Sequence, residues 1–90
     1  MNRLSAVIIT FNEEQNIARC LASVRDLADE IVVVDSHSAD RTTEICHAFG
    51  CRVILREFSG YSAQKQFAVD SASFDWVLSV DADEATTPEL

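Results

Sequence analysis

Three short aliphatic runs constrain this chain more than any other feature. Val7-Ile8-Ile9, Ile31-Val32-Val33-Val34 and Val77-Leu78-Ser79-Val80 are each about a strand long. Near-continuous apolar strands belong in parallel sheets, covered on both faces. Val77, Leu78 and Val80 are therefore expected to be buried from both sides. The second run ends in Asp35, and the third in Asp81, Asp83 and Glu84. Unpaired carboxylates inside a core are very costly, so these acids must lie where the strands leave it.

Helical patterns fill the intervals. After a first strand, Leu4 to Thr10, Asn12 caps a helix from Glu13 to about Asp26, and Gln15 completes a capping box. Ile17, Leu21 and Val24 form its apolar stripe, beside Cys20 and Ala18. After the polar loop Asp35 to Asp40, Ser38 or Asp40 caps a second helix with Ile45, Ala48 and Phe49 inward. Gly50 stands where a left-handed C-terminal cap is wanted. Cys51 to Leu55 is a third strand. A third helix, Ser62 to about Ser71, turns Phe67 and Ala68 inward and leaves Gln64 and Lys65 off that face. The run from Trp76 is the fourth strand, and Thr87-Pro88-Glu89 opens a further helix that is one turn long at Leu90. The order β-α-β-α-β-α-β predicts an α/β fold with an open parallel sheet and right-handed crossovers. Residues 1–90 read as one truncated domain, because the last helix is only begun.

Charge and composition exclude several function classes. The net charge of -8 argues against nucleic acid as a partner and against direct contact with anionic lipid. No apolar run approaches the ~20 residues that span a bilayer, and Met1 to Ser5 lead into no signal-peptide core. The three cysteines, Cys20, Cys46 and Cys51, are irregularly spaced and form no disulfide framework. Cys46 and His47 are adjacent and diverge on a helix, so free buried thiols are expected rather than zinc.

Ligands of open parallel sheets bind beyond the carboxyl ends of the strands, where Asn12, Glu13, Asp35, Asp81 and Asp83 all fall. The turn Thr10-Phe11-Asn12-Glu13-Glu14 has no glycine, so neither a dinucleotide fingerprint nor a P-loop is present. In an extended chain Asp81 and Asp83 face one side, about 7 Å apart. Such a pair suits a hard divalent cation bridging to phosphate oxygens, and equally a solvated acidic turn. Asp35 is placed to accept from a base or ribose, or simply to open a loop.

Four segments together resemble the family 2 glycosyltransferases, which have the Rossmann-like GT-A fold. Ser5-Ala6-Val7-Ile8-Ile9-Thr10-Phe11-Asn12-Glu13-Glu14 is similar to the family's first strand and turn. Val34-Asp35-Ser36-His37-Ser38-Ala39-Asp40-Arg41-Thr42 is similar to its Asp-x-x-Ser-x-Asp-x-Thr loop. Tyr61-Ser62-Ala63-Gln64-Lys65-Gln66 is similar to a helix start carrying a basic residue. Asp81-Ala82-Asp83-Glu84 is similar to the metal-binding Asp-x-Asp. The last two resemble most the bacterial enzymes that glycosylate lipopolysaccharide core.

The resemblance implies the nucleotide-sugar-binding half of a transferase, with Mg²⁺ or Mn²⁺ as cofactor. Thr10, Asn12 and Glu13 would border the nucleoside, and Asp35 would accept from the base, commonly uracil. Lys65 would approach the diphosphate or ribose. Asp83 would ligate the metal, and Asp81 would contact ribose or metal. The acceptor would be a glycan or lipid-linked sugar. The setting would be cytoplasmic, at the inner membrane face if the protein associates peripherally. The general base of the family lies well after Asp-x-Asp and is expected downstream of Leu90. None is therefore assigned between Met1 and Leu90, and the 90 residues are expected to be inactive alone. Ser36-His37 departs from the Gly or Asp frequent after the second-strand acid, and Lys65 stands where Arg is frequent. A non-catalytic sugar-nucleotide binder remains the alternative. A receiver-like module lacks its acceptor acid, since the third strand ends in Leu55-Arg56. A nucleotidyltransferase lacks its basic glycine-rich loop.

Overall fold

The computed structural model describes residues 3–82. Strand β1 (Leu4–Thr10), helix α1 (Ile17–Arg25), strand β2 (Glu30–Asp35), helix α2 (Thr42–Ala48), strand β3 (Arg52–Leu55), helix α3 (Tyr61–Asp70) and strand β4 (Trp76–Asp81) alternate as expected. The sheet is parallel in the order β3-β2-β1-β4. The chain adds strands on one side of β1 and then returns to its other side. This reversal makes the end of β1 the switch point, where such sheets open a crevice.

Strand alternation splits the core into two layers. Ala6, Ile8, Val33 and Val80 pack against Ile17, Cys20, Leu21 and Val24 of α1 and Cys46 of α2. On the opposite face Val7, Val32 and Val34 pack under Ala68, with Phe67, Ile9 and Ile54 half-buried around them. All three cysteines are buried free thiols. The Cys46 thiol is pushed well above its ordinary range by its hydrogen bond with Cys51 and by burial.

Several details differ from the sequence expectation. β4 is not covered on both faces: Val80 is buried and Leu78 half-buried, but Val77 and Ser79 are exposed. The reason is that α3 lies over β1 and β2, so it leaves the matching face of β4 open. In α2 the buried residues are Thr42 and Cys46, while Ile45 and Phe49 are only half-buried and Ala48 is exposed. Ala18 is also exposed, off the α1 stripe. Helix α1 begins four residues late, after a turn in which the Asn16 and Ile17 amides donate to the Glu13 carbonyl at 3.0 and 2.8 Å. Gly50 does take the left-handed conformation, with φ 79°.

At the opposite, amino-terminal edge Glu30 ties the sheet to the α3–β4 connection. Its carboxylate accepts from Ser5 Oγ at 2.6 Å, from Ser73 N and Oγ at 2.8 Å each, and from Arg52 Nη1 at 3.4 Å. Partial burial pushes this carboxyl upward, but those donors outweigh it and hold the group below its ordinary value of 4.5. A depressed value in the fold stabilises it above that pH, and the contribution fades as pH falls below it. Glu30→Gln should therefore cost about 1–3 kcal/mol at pH 7, the usual cost of hydrogen bonds to a charged group, and much less at pH 3. Urea denaturation at the two pH values measures the difference.

Candidate functional site

The loops leaving β1 and β2 are built as one unit, around a buried carboxylate. Asp35 is fully buried at the end of β2. Its Oδ1 accepts from Thr10 Oγ1 and from Ser38 Oγ, each at 2.6 Å, and its Oδ2 accepts from the Ser38 amide at 2.7 Å. A charge in that place is tolerated because several donors replace the lost water. Ser38 Oγ in turn accepts from the Asn12 amide at 2.7 Å, and Asn12 Oδ1 accepts from the Ala39 amide at 2.8 Å.

This use of Asn12 explains why it caps no helix. Its side chain is spent on the neighbouring loop, and its backbone is left-handed at φ 52°, a conformation Asn tolerates. The first-turn amides it was expected to serve are satisfied from across the gap. Glu13 N donates to Thr42 Oγ1 at 2.8 Å, and Glu14 N donates to Asp40 Oδ2 at 3.2 Å. Asp40 also takes the Thr42 amide and hydroxyl, at 2.9 and 2.5 Å, but α2 starts at Thr42 and its N-cap falls on Arg41, not on Ser38 or Asp40 as expected. Desolvation pushes the Asp40 carboxyl up, and the bonds from Thr42 and Glu14 bring it below the ordinary range.

A second cluster stands at the end of β4. Tyr61 Oη donates to Asp81 Oδ1 at 3.0 Å, and Lys65 Nζ lies 3.8 Å from the same oxygen. The ammonium also sits 5.2 Å from the Tyr61 ring centre. Asp81 and Lys65 are 42% and 37% exposed, so the pair contributes about 0–1 kcal/mol to stability. Both groups remain open to a ligand.

Between the clusters lies a cleft of about 180 Å³, lined by Thr10, Phe11, Glu13, Ser36, Tyr61 and Gln64 among others. An adjoining cavity of about 390 Å³ is bordered by Phe11, Ser36 and Phe58. Phe11 and Phe58 are 59% and 56% exposed. Large aromatic side chains left open around one cavity are the usual lining of a small-molecule site.

The expected site residues are thus only partly brought together. Thr10 and Glu13 line the cleft, and Asp81 and Lys65 meet beside it. Asp35 does not face it. Asp35 continues the side of β2 that carries Val33, whereas Asp81 reaches α3 on the other face of the sheet. A base could reach Asp35 only by displacing the Thr10 or Ser38 hydroxyl. Asn12 serves the loop junction. Asp83 lies outside the described residues, and so do Glu84 and the start of the helix expected at Thr87. Leu90, downstream of which the general base was expected, lies outside them too, so no catalytic base is assigned among the described residues. Among those residues no group of three or more acids, histidines or cysteines is arranged to hold a metal.

Sequence reasoning missed Phe11, Ser36, Phe58, Tyr61 and Gln64. Gln64 is fully buried, contrary to expectation, because it stands one turn before Ala68 on the inner stripe of α3. Its amide is satisfied there by Ser36 and Arg56. Phe11 and Phe58 carried a legible signal: each stands in the connection after a strand, where a loop is ordinarily polar.

Comparison with known proteins fits this geometry. The model of glycosyl transferase family 2 matches residues 5–90. A Rickettsia typhi protein named only as an uncharacterized glycosyltransferase is 46% identical over 90 residues, which are all of this chain and 31% of that protein. The lipopolysaccharide core biosynthesis glycosyltransferase LpsC of Rhizobium meliloti is 40% identical over 86 residues, covering 90% of this chain and 32% of its own length. The chain therefore spans about a third of the length of these relatives. Glucosyl-3-phosphoglycerate synthase from Mycobacterium tuberculosis, crystallised with UDP, superposes with a TM-score of 0.81 at 29% identity, over 92% of this chain and 34% of that one. The same enzyme with Mn²⁺, UDP and glucosyl-3-phosphoglycerate gives 0.80 at 27% identity, over 93% and 36%. With the parallel GT-A sheet and the family match agreeing over nearly its whole length, this chain belongs to glycosyl transferase family 2.

Proposed function

We propose that residues 1–90 are the donor-binding half of a divalent-metal-dependent glycosyltransferase that uses a nucleotide-sugar, of the UDP type, and inverts at the transferred carbon. The observation that carries this reading is the cleft at the end of β1. It has open aromatic walls on one side and the Tyr61–Lys65–Asp81 cluster on the other. A planar base stacks on exposed rings, and Phe11 and Phe58 offer them. A diphosphate then runs toward Lys65, whose ammonium is a compact point charge for phosphate oxygens.

The metal fits the residues in a specific way. Magnesium or manganese commonly takes one or two carboxylates and completes its shell with substrate phosphates and water. Asp81, half-exposed beside the cleft, would be one such ligand, and Asp83 would be the second by its spacing from Asp81. The bound ion would offset negative charge on the departing nucleoside diphosphate. The chain's own part is to hold the base, aim the diphosphate and keep Lys65 beside Asp81. Thr10 and Glu13 border the nucleoside in this reading. Asp35 acts through the loop it secures, and Asn12 through the same junction. The donor half carries no assigned general base, so the 90-residue chain is expected to bind donor and not to transfer sugar.

The likeness to LpsC supports a glycan or lipid-linked acceptor of the lipopolysaccharide-core kind, and the crystallised relative supports UDP and Mn²⁺. No helix among the described residues is long and apolar enough to cross a membrane. A cytoplasmic setting, at the inner membrane face, is the one this reading adopts for such an acceptor.

Calorimetric titration with UDP should give binding that Mn²⁺ strengthens at least about ten-fold, a gain on the order of one charge-assisted contact. Asp83→Ala should abolish the Mn²⁺ gain and leave the metal-free affinity nearly intact. Equal affinity with and without Mn²⁺ would contradict the metal role, and no binding of any nucleoside diphosphate would contradict the donor site. Asp35→Asn turns an amide group toward donors that need an acceptor, and should lower thermal stability by about 1–3 kcal/mol. A denaturation curve unchanged by that substitution would contradict its role in the loops.

A further inference from the structure

Helix α2 ends in a turn that sets two cysteines side by side. The Gly50 amide donates to the His47 carbonyl at 3.0 Å, and the Cys51 amide donates to the Cys46 carbonyl at 3.1 Å. With Gly50 left-handed at φ 79°, these are the paired bonds of a Schellman ending. Such an ending brings together the side chains of the two residues joined by its outer bond, here Cys46 and Cys51. Both lie in the core layer shared by α1 and α2, and their thiols are hydrogen-bonded to each other. A disulfide needs α-carbons about 4.4–6.8 Å apart, a separation that a direct bond between the two backbones enforces. The two sulfurs are not equivalent. Cys46 is fully buried, while Cys51 is 8% exposed and is the one an oxidant reaches first. The Cys46 S–H donates to Cys51, and this holds the Cys51 thiol below its ordinary range against the opposing effect of burial. The same bond, burial and the neighbouring Asp35 and Cys20 keep Cys46 protonated. Cys51 is thus suited to attack, and Cys46 to resolve.

We infer that Cys46 and Cys51 are a reversible thiol–disulfide pair, a redox-sensitive clasp that closes across the end of α2 when the protein meets a peroxide. First the Cys51 sulfur attacks one oxygen of hydrogen peroxide. The O–O bond breaks, the departing hydroxide takes the Cys51 proton as water, and Cys51 becomes a sulfenic acid. The Cys46 sulfur then attacks the Cys51 sulfur. The S–O bond breaks, and the departing hydroxide takes the Cys46 proton as a second water. Two thiols have lost two electrons, and the peroxide has been reduced to water. A dithiol reductant reopens the bond by thiol–disulfide exchange. Cys20 shares the core layer, but its thiol donates to the Asp81 carbonyl at 3.6 Å and stays out of the bridge. Cys51 immediately precedes β3, on the amino-terminal side of the sheet, away from the donor cleft. The clasp therefore acts on the stability of the fold, and it does not rest on the donor-site reading.

The experiment treats the reduced, folded protein with hydrogen peroxide, at a dose that fully oxidises the same chain unfolded in urea. The sample is then alkylated in denaturant, digested with trypsin and weighed by mass spectrometry. Trypsin releases residues 42–52 as one peptide, which holds Cys46 and Cys51 and not Cys20. Before peroxide all three cysteines should be alkylated. After it only Cys20 should be, and the 42–52 peptide should be unalkylated and lighter by two hydrogens. Its rate of formation should not rise in urea below the unfolding transition, as reaction within the folded state requires. Dithiothreitol should restore both alkylations. The bridged protein should melt at a higher temperature than the reduced one. Cys51→Ala should leave Cys46 alkylated after the same exposure, and Cys20→Ala should keep the bridge. The proposal is overturned if the folded protein keeps three alkylated thiols at that dose, or if the bridge involves Cys20 or a second chain. Oxidation of Cys51 to sulfinic acid without a bridge, a rate that climbs with sub-denaturing urea, or a bridged form that melts lower would each overturn it as well. Oxidation of Cys46 in folded Cys51→Ala would overturn the assigned order of attack.

Discussion

The carboxyl-terminal face of this sheet depends on satisfying one buried charge. Asp35 ends β2 inside the protein, and the donors available to it are the Thr10 hydroxyl on β1 and the amide and hydroxyl of Ser38. Meeting that requirement folds the loop after β2 back on itself and brings it against the turn after β1. Asn12, Asp40 and Thr42 then stitch the two loops together, and the turn that precedes α1 receives partners for its Glu13 and Glu14 amides from α2's side of the gap. The spacing Asp-x-x-Ser-x-Asp-x-Thr is thus a hydrogen-bonding device. Each named residue in it accepts or donates a bond that holds the junction.

That junction fixes the cleft indirectly. The side of the loop opposite the Asp35 carboxylate presents Ser36 to Gln64, and through Gln64 to Arg56 and the start of α3. Tyr61 and Lys65 are carried on the same first turns of α3 and meet Asp81. Two polar clusters, at the ends of β2 and β4, are therefore linked through the first turns of α3. At the buried end of this path Gln64 specifies one arrangement, because leaving its amide half-satisfied would be costly.

The fold was legible because its signals were redundant. Apolar runs of strand length, helical stripes and Gly50 all pointed to the same alternating parallel sheet. The site was less so, because it depends on which face a side chain takes and on what its polar atoms are already doing. Acids at neighbouring strand ends looked as if they converged, yet residue parity sends Asp35 and Asp81 to opposite faces. Asn12 has the composition of a helix cap, and the capping pattern could not show that the next loop claims its side chain. Gln64 looked exposed because it is polar, whereas its spacing from Ala68 placed it inside. β4 looked doubly covered because its residues are apolar, but the position of α3 over β1 and β2 was not encoded in β4 itself.

A metal-held nucleotide in the opening at the end of β1, between the aromatic walls and Asp81, would leave a direct mark in paramagnetic broadening. Amide spectra of the protein would be recorded with UDP and Mg²⁺, and again with substoichiometric Mn²⁺. The signals of Asp81, Tyr61 and Lys65 should then be lost selectively, with shifts but no broadening at Phe11 and Ser36, where the base rests. Broadening centred instead on α1 or α2, such as at Glu44 or His47, or uniform weak broadening over the acidic surface, would contradict a metal-held donor at this site.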